Sequence, residues 1–201
     1  MTDYTKLIEV CNPIVSEISV IKSVVESSIN KEIDPLVVFF KDEKIKTTVV
    51  GFNKLSTFED NILRFSEILH LYRALDSYSC IIAMPAKISI DNVLYKTVNI
   101  FLLSDSDAWS IILPYLIENN NVKWYDEFSQ ITPINDCDFE DSSREMISMF
   151  YFMTHIDSPA YNAAEIMSYL SLYNVAIHQF NDESNPNDTS YVSYFDMSNQ
   201  N

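Results

Sequence analysis

The stretch from Asn135 to Met146 contains five acidic residues and one basic residue. The acids are Asp136, Asp138, Glu140, Asp141 and Glu145. Carboxylates at this density are typical of a metal-binding loop, of an acid/base pair, of a helix start, or of a surface that binds a basic partner. The residues around them discriminate among these four kinds of chemistry.

A calcium-binding loop of the EF-hand type does not fit this stretch. If the loop started at Asp136, it would need glycine where Asp141 stands and glutamate where Ile147 stands. The residues from Ser142 to Glu145 match the S-x-x-E capping box of a helix start, where the helix dipole favours anions. That start explains one or two of the acids, and the surplus predicts a solvated surface or a partner-binding surface.

Other combinations of catalytic or metal-binding residues are sparse. Asp105 and Asp107 follow a predicted strand, but no histidine or lysine lies near them in sequence to complete a site. His155, Asp157 and Ser158 are adjacent in one predicted turn, which gives poor geometry for a catalytic triad. We therefore expect no catalytic residues, no metal site and no cofactor. The alternative is a metal-dependent enzyme that combines Asp105 and Asp107 with the acidic stretch.

The chain contains a single glycine, Gly51. Phosphate-binding loops and the dinucleotide-binding fingerprint need several glycines, either at positive φ or where the backbone approaches the ligand. The nucleophile elbow of α/β-hydrolases also needs two glycines. The sequence therefore excludes these motifs, and turns are expected to use Asn and Asp, as at Asp91 and Asn92.

The negative charge is concentrated toward the C-terminus. Residues 1–124 carry 16 acids and 12 bases, whereas residues 125–201 carry 13 acids and one base. A net charge of −12 in the last 77 residues repels nucleic-acid phosphates and attracts basic proteins. We therefore expect a basic protein partner and no direct contact with nucleic acid.

The composition is that of a folded, water-soluble chain. Of the 201 residues 47% are hydrophobic, which is sufficient to form a core, and no uncharged apolar run is long enough for a membrane span. The first ten residues carry acids where a secretion signal would carry bases. The cysteines Cys11, Cys80 and Cys137 are far apart, which predicts reduced thiols. We expect a cytoplasmic protein without membrane contact.

An apolar stripe with alternating spacings of four and three runs from Leu7 to Val25. Because Pro13 suits the first turn of a helix, the main helix is predicted from Pro13 to about Asn30. The same spacing permits a coiled coil, so a homodimer through this helix is a further hypothesis.

Six segments have the β-branched and aromatic composition of strands, and they cover residues 36–40, 45–51, 79–88, 95–103, 109–117 and 122–125. A central helix is predicted with an apolar stripe from Phe58 to Tyr72 and a cap at Ser56 or Thr57. Pro114 predicts an edge or a bulge in its strand. Residues 1–134 are therefore expected to form an α+β core domain, with an antiparallel or mixed sheet of about five to six strands and helices against one face.

The pattern beyond residue 134 is helical again. Residues 146–153 and 160–170 each follow a helical period, and Ser158 with Pro159 matches a cap and a first helical residue. We predict an acidic helical hairpin over residues 135–180, packed on the core. Residues 181–201 show no periodicity and predict a disordered polar tail.

The function predicted from these features is that of a non-enzymatic acidic protein-binding module. Its composition is typical of viral and mobile-element accessory proteins, and it would occupy a basic, nucleic-acid-binding surface of a partner. Aromatic residues in the tail can dock on a groove or a sheet edge, in the same molecule or in a partner. The predicted partner contacts are the five acids Asp136, Asp138, Glu140, Asp141 and Glu145 and the aromatics Tyr191, Tyr194 and Phe195. A structural or assembly subunit is a further alternative.

Overall fold

The computed structural model describes residues 12–42, 45–53, 55, 57–104, 108–133, 148 and 162–180. Three α-helices lie within these residues: α1 (Asn12–Ser27), α2 (Phe58–Ala74) and α3 (Ala163–Ser171). The strands are β1 (Leu36–Phe40), β2 (Lys46–Phe52), β3 (Ser79–Ile90), β4 (Val93–Ser104), β5 (Ala108–Glu118), β6 (Asn121–Trp124), β7 (Gln130–Pro133) and β8 (Val175–Gln179). A single 3₁₀ turn, Asp126–Phe128, separates β6 from β7.

All eight strands pair antiparallel in one sheet with the order β6-β5-β4-β3-β1-β2-β8, and β7 also pairs with β5. The predicted α+β class is therefore confirmed. Among the described residues the sheet has eight strands, where five or six were expected. The first six correspond to the predicted segments, and β7 and β8 were not predicted.

The sheet carries helices on both faces, so the prediction of helices against one face is wrong. All five residues of β1 are buried, as are the last five of β2, which means that neither face of these strands meets water. Helix α1 packs on one face through Ile18, Ile21, Val24 and Val25. On the other face the cover comes from α2, whose buried side chains include Ile62, Phe65, Ile68, Leu69 and Tyr72, and from α3.

Pro114 explains why one edge of the sheet is divided into two short strands. The Tyr125 amide donates to the Pro114 carbonyl at 3.0 Å, so the missing N–H of Pro114 faces this edge and not β4. The ladder with β6 stops there, and the one with β7 begins at Ile112. Between the two ladders the chain forms the 3₁₀ turn. The sequence predicted an edge or a bulge at this proline. The structure has instead a break between β6 and β7, the two strands that pair with β5 on this side.

Polar contacts fix the orientation of α1 on the sheet. The Lys46 ammonium and the Glu17 carboxylate lie 2.6 Å apart in an almost fully buried ion pair. At the other end of the helix, the Trp124 indole N–H donates to Glu26 at 2.7 Å. The apolar stripe of α1 packs against the sheet of the same chain, at least from Ile18 onward. Homodimerisation through this helix stays a prediction, and it would require another side of the helix.

The predicted C-terminal helical hairpin is not confirmed. Its first helix lies outside the described residues, apart from Ser148. Its second helix begins at Ala163, where Asn162 and Glu165 form a capping box, and ends at Ser171. The residues that follow turn through Asn174, with φ of 55°, into β8. The tail 181–201 lies outside the described residues, and the division into domains stays a prediction. In the described part of the chain, no helix has the length and apolar character needed to span a bilayer.

Replacing Lys46 with methionine should destabilise the protein by about 3 kcal/mol, because the buried Glu17 carboxylate loses this counter-ion. Urea unfolding of the single variant and of the double variant Glu17→Leu/Lys46→Met measures the effect. The double variant should recover most of the loss, since a well-packed apolar pair can replace a buried ion pair. Equal stabilities of the two variants would contradict a coupled pair.

Candidate partner-binding surface

The predicted contact residues do not form a described site. The five acids from Asp136 to Glu145 and the tail aromatics Tyr191, Tyr194 and Phe195 lie outside the described residues, as do Asp105 and Asp107. Within the described residues, no group of three or more His, Cys, Asp or Glu side chains is placed to bind a metal. The alternative of a metal-dependent enzyme therefore stays a prediction.

The described residues present a different surface, which sequence reasoning did not find. It is formed by the outer side of α2, the outer side of α3 and the turn after α3. We call it the α2–α3 surface, and its residues are Leu63, Arg64, Glu67, Tyr169, Leu172 and Tyr173.

The inner sides of the two helices position this surface. Thr57 accepts a hydrogen bond from the Asp60 amide at 3.1 Å and so caps the start of α2. Ile166 and Leu170 of α3 are buried in the same core as the apolar stripe of α2. Tyr169 lies on an exposed side of α3, and its ring contacts that of Tyr173 in the turn that follows the helix.

A network of polar and ring contacts links the two helices across the surface. The Arg64 guanidinium lies 2.6 Å from the Glu67 carboxylate and 4.8 Å from the Tyr173 ring centroid. The Tyr169 hydroxyl donates to Glu67 at 3.2 Å, and the Tyr169 and Tyr173 rings are 5.0 Å apart. These contacts hold both tyrosines in defined orientations without burying them.

The apolar members of the surface are substantially exposed. The exposed fraction is 79% for Leu172, 61% for Leu63, 49% for Tyr173 and 45% for Tyr169. Clustered exposed apolar side chains mark interaction sites more often than single ones do, and Tyr and Arg are enriched among residues that dominate binding. The arrangement is suited to bind a protein surface, because its aromatic anchors are already held in place.

The electrostatic environment favours the protonated form of the Tyr169 hydroxyl and the uncharged form of the neighbouring His70. The neighbouring Tyr173 hydroxyl, together with desolvation and the Glu67 carboxylate, raises the pKa of Tyr169 to about 12. Desolvation lowers the pKa of His70, against the opposing effect of Glu67, so this histidine is neutral at pH 7. The Tyr169 hydroxyl is therefore a hydrogen-bond donor over the whole physiological range.

The one described cysteine offers no reactive nucleophile. Cys80 is fully buried in β3 and carries no disulfide, in agreement with the predicted reduced thiol. Burial raises the pKa of the Cys80 thiol, because the thiolate would lose its hydration. This cysteine therefore packs as a small apolar residue.

Comparison of the chain with protein-family models, with curated proteins and with solved structures found no significant match.

Replacing Tyr173 with phenylalanine should lower the pKa of Tyr169 toward the ordinary tyrosine value of about 10. The physical reason is that the Tyr173 hydroxyl is the largest contributor to the raised pKa. A pH titration of ¹³Cζ-labelled tyrosines by NMR measures it. Tyr78→Phe is the matched control, since Tyr78 is exposed outside the α2–α3 surface. An unchanged Tyr169 titration in the Tyr173 variant would show that the two tyrosine hydroxyls do not interact in solution.

Proposed function

We propose that this protein is a non-enzymatic protein-binding module that engages a basic surface of a partner protein. The observation that carries the proposal is the concentration of negative charge toward the C-terminus. Residues 1–124 contain 16 acids and 12 bases, whereas residues 125–201, which include the stretch from Asn135 to Met146, contain 13 acids and one base. We call the residues that the structure describes the scaffold, and they contain 14 acids and nine bases.

Most basic side chains of the scaffold form ion pairs with acids of the scaffold, which supports the proposal. Five of its nine basic side chains form ion pairs with scaffold acids: Lys22 with Asp126, Lys46 with Glu17, Arg64 with Glu67, Lys96 with Glu32, and Lys123 with Glu118. Cations that are held in this way are poorly placed to neutralise the acidic stretch as well. A basic partner would supply that neutralisation.

The residues of this protein that we assign to partner binding are of two kinds. The acids Asp136, Asp138, Glu140, Asp141 and Glu145 would steer a basic surface toward the protein and set its register. The aromatics Tyr191, Tyr194 and Phe195, together with the exposed tyrosines and leucines of the α2–α3 surface, would supply apolar anchors. A partner surface that binds nucleic acid has the matching charge, so its occupation would resemble nucleic-acid mimicry. A viral or mobile-element setting in the cytoplasm fits this role.

Neutralising the acidic stretch should weaken partner binding in a salt-dependent manner. We compare the variant Asp136→Asn/Asp138→Asn/Glu140→Gln/Asp141→Asn with the native protein by affinity capture from host lysate at low and high salt. Partner retention should fall in the variant, and retention by the native protein should fall as salt rises, because screening lengths are about 10 Å at 0.1 M salt.

A matched control separates local from total charge. The variant Asp60→Asn/Asp76→Asn/Asp91→Asn/Glu127→Gln removes the same charge from exposed scaffold positions, and it should retain the partner. Equal losses in the two variants would mean that only total charge matters. Retention by both variants at every salt concentration would contradict the proposal.

The α2–α3 surface should contribute affinity that is insensitive to salt. The variant Leu172→Ser/Tyr173→Ala should weaken binding of the captured partner by about fivefold or more, as loss of interface anchors does. The melting temperature should change little, because both side chains are substantially exposed. Leu94→Ser is the control, since Leu94 is also exposed and lies at the start of β4, outside the α2–α3 surface. An unchanged affinity would remove this surface from the interface.

A further inference from the structure

Among the described residues β8 lies at one edge of the sheet, and its backbone has a defined outer side. The Phe180 amide donates to the Thr47 carbonyl at 2.9 Å, in the same register in which Val49 faces His178. In an antiparallel ladder, alternate residues direct their N–H and C=O groups to opposite sides. The backbone groups of His178 therefore face β2.

The same alternation gives the direction of the backbone N–H and C=O groups in the remaining residues of β8. Ala176 faces β2, whereas Val175, Ile177 and Gln179 direct their backbone groups away from the sheet. No strand among the described residues pairs with this outer side. Three amides and three carbonyls are thus available there in the geometry of a sheet edge.

The two edges of the sheet differ in how they resist further pairing. The β6/β7 edge consists of two four-residue strands, interrupted by the 3₁₀ turn and carrying Lys123 and Pro133. Short strands, bulges, lysine and proline are the devices that block edge pairing. The sequence V-A-I-H-Q of β8 contains none of these residues. Its edge is therefore chemically suited to accept another strand.

The chain continues for 21 residues after Phe180, directly beside this edge. Residues 181–188 read N-D-E-S-N-P-N-D, a composition typical of a turn. Residues 189–195 read T-S-Y-V-S-Y-F, in which five of the seven residues are aromatic or β-branched, as is typical of strands. Strands that follow each other in sequence commonly pair when a short loop joins them.

We propose that residues 189–195 pair antiparallel with the outer edge of β8 and form a ninth strand. The segment is tethered by a loop of roughly eight residues, so its effective concentration at the edge exceeds that of any free competitor. Tyr191 and Phe195 would fall on one face of the sheet and Val192 and Tyr194 on the other. Val175 and Ile177 would meet them on the α3 side, and the ring of Phe180 on the α1 side.

This inference concerns the protein on its own and does not require the proposed function. If both hold, a partner that contacts Tyr191, Tyr194 and Phe195 would first have to displace them from the edge.

Amide hydrogen exchange, followed by NMR on the full chain, tests the pairing. The variant Tyr191→Pro/Val192→Pro removes two successive N–H groups, of which one must face β8 whatever the register. Exchange at outward-facing amides of β8 should be at least about tenfold faster in this variant than in the native protein. Ser198→Pro is the matched control and should exchange as the native protein does. The amides of Ala176 and His178, which face β2, should stay protected in all three proteins.

Two results would overturn the proposal. If the outward-facing amides exchange equally fast in the native protein and in the double-proline variant, residues 189–195 do not pair with the edge. If their protection rises with protein concentration and survives the two prolines, the occupant is β8 of a second copy. Because no partner is present, neither result bears on the proposed binding function.

Discussion

The fold depends on a sheet whose central strands are apolar on both faces. In β1 every side chain is buried, and alternate residues enter two different cores, with Val37 and Phe39 on one side and Val38 and Phe40 on the other. Antiparallel sheets commonly leave one face in water, but a strand of this composition cannot. Each large side chain that reaches full burial contributes about 1.5 to 3 kcal/mol, so both faces require a cover. Helix α1 provides one cover, and α2 with α3 provides the other.

Apolar burial and polar contacts have different roles in holding these covers. The four buried aliphatic residues of α1 together outweigh its surface ion pairs, since exposed pairs contribute only about 0 to 1 kcal/mol each. Burial therefore decides that α1 docks on the sheet. Directional contacts, such as the one from the Trp124 indole to Glu26, decide where along the sheet it lies. On the opposite face, the link from Tyr169 to Glu67 has the same role between α2 and α3.

Elements defined by local pattern were predicted well, and elements defined by distant partners were not. The β3–β4 hairpin follows from its alternation and from Asp91 and Asn92, which have the positive φ of a tight turn. β8 was missed because V-A-I-H-Q directly follows a helical stripe and becomes a strand only through its pairing with β2, more than 120 residues earlier. The α2–α3 surface was missed for a related reason. Tyr169 and Glu67 are 102 residues apart, and no sequence spacing connects them.

The concentration of acidic residues toward the C-terminus does not help to stabilise the fold. Like charges concentrated in one region repel each other and disfavour a compact state, so such a concentration has an energetic cost. The Lys22, Lys46 and Lys96 ammonium groups of the described residues are already paired with acids of those same residues. A solvated surface for solubility would not need this clustering. Clustering has its clearest physical effect on an oppositely charged surface, since the fields of neighbouring carboxylates add there. The charge of the acidic stretch and the exposed aromatics of the α2–α3 surface are thus two independent observations on which the proposed partner binding rests.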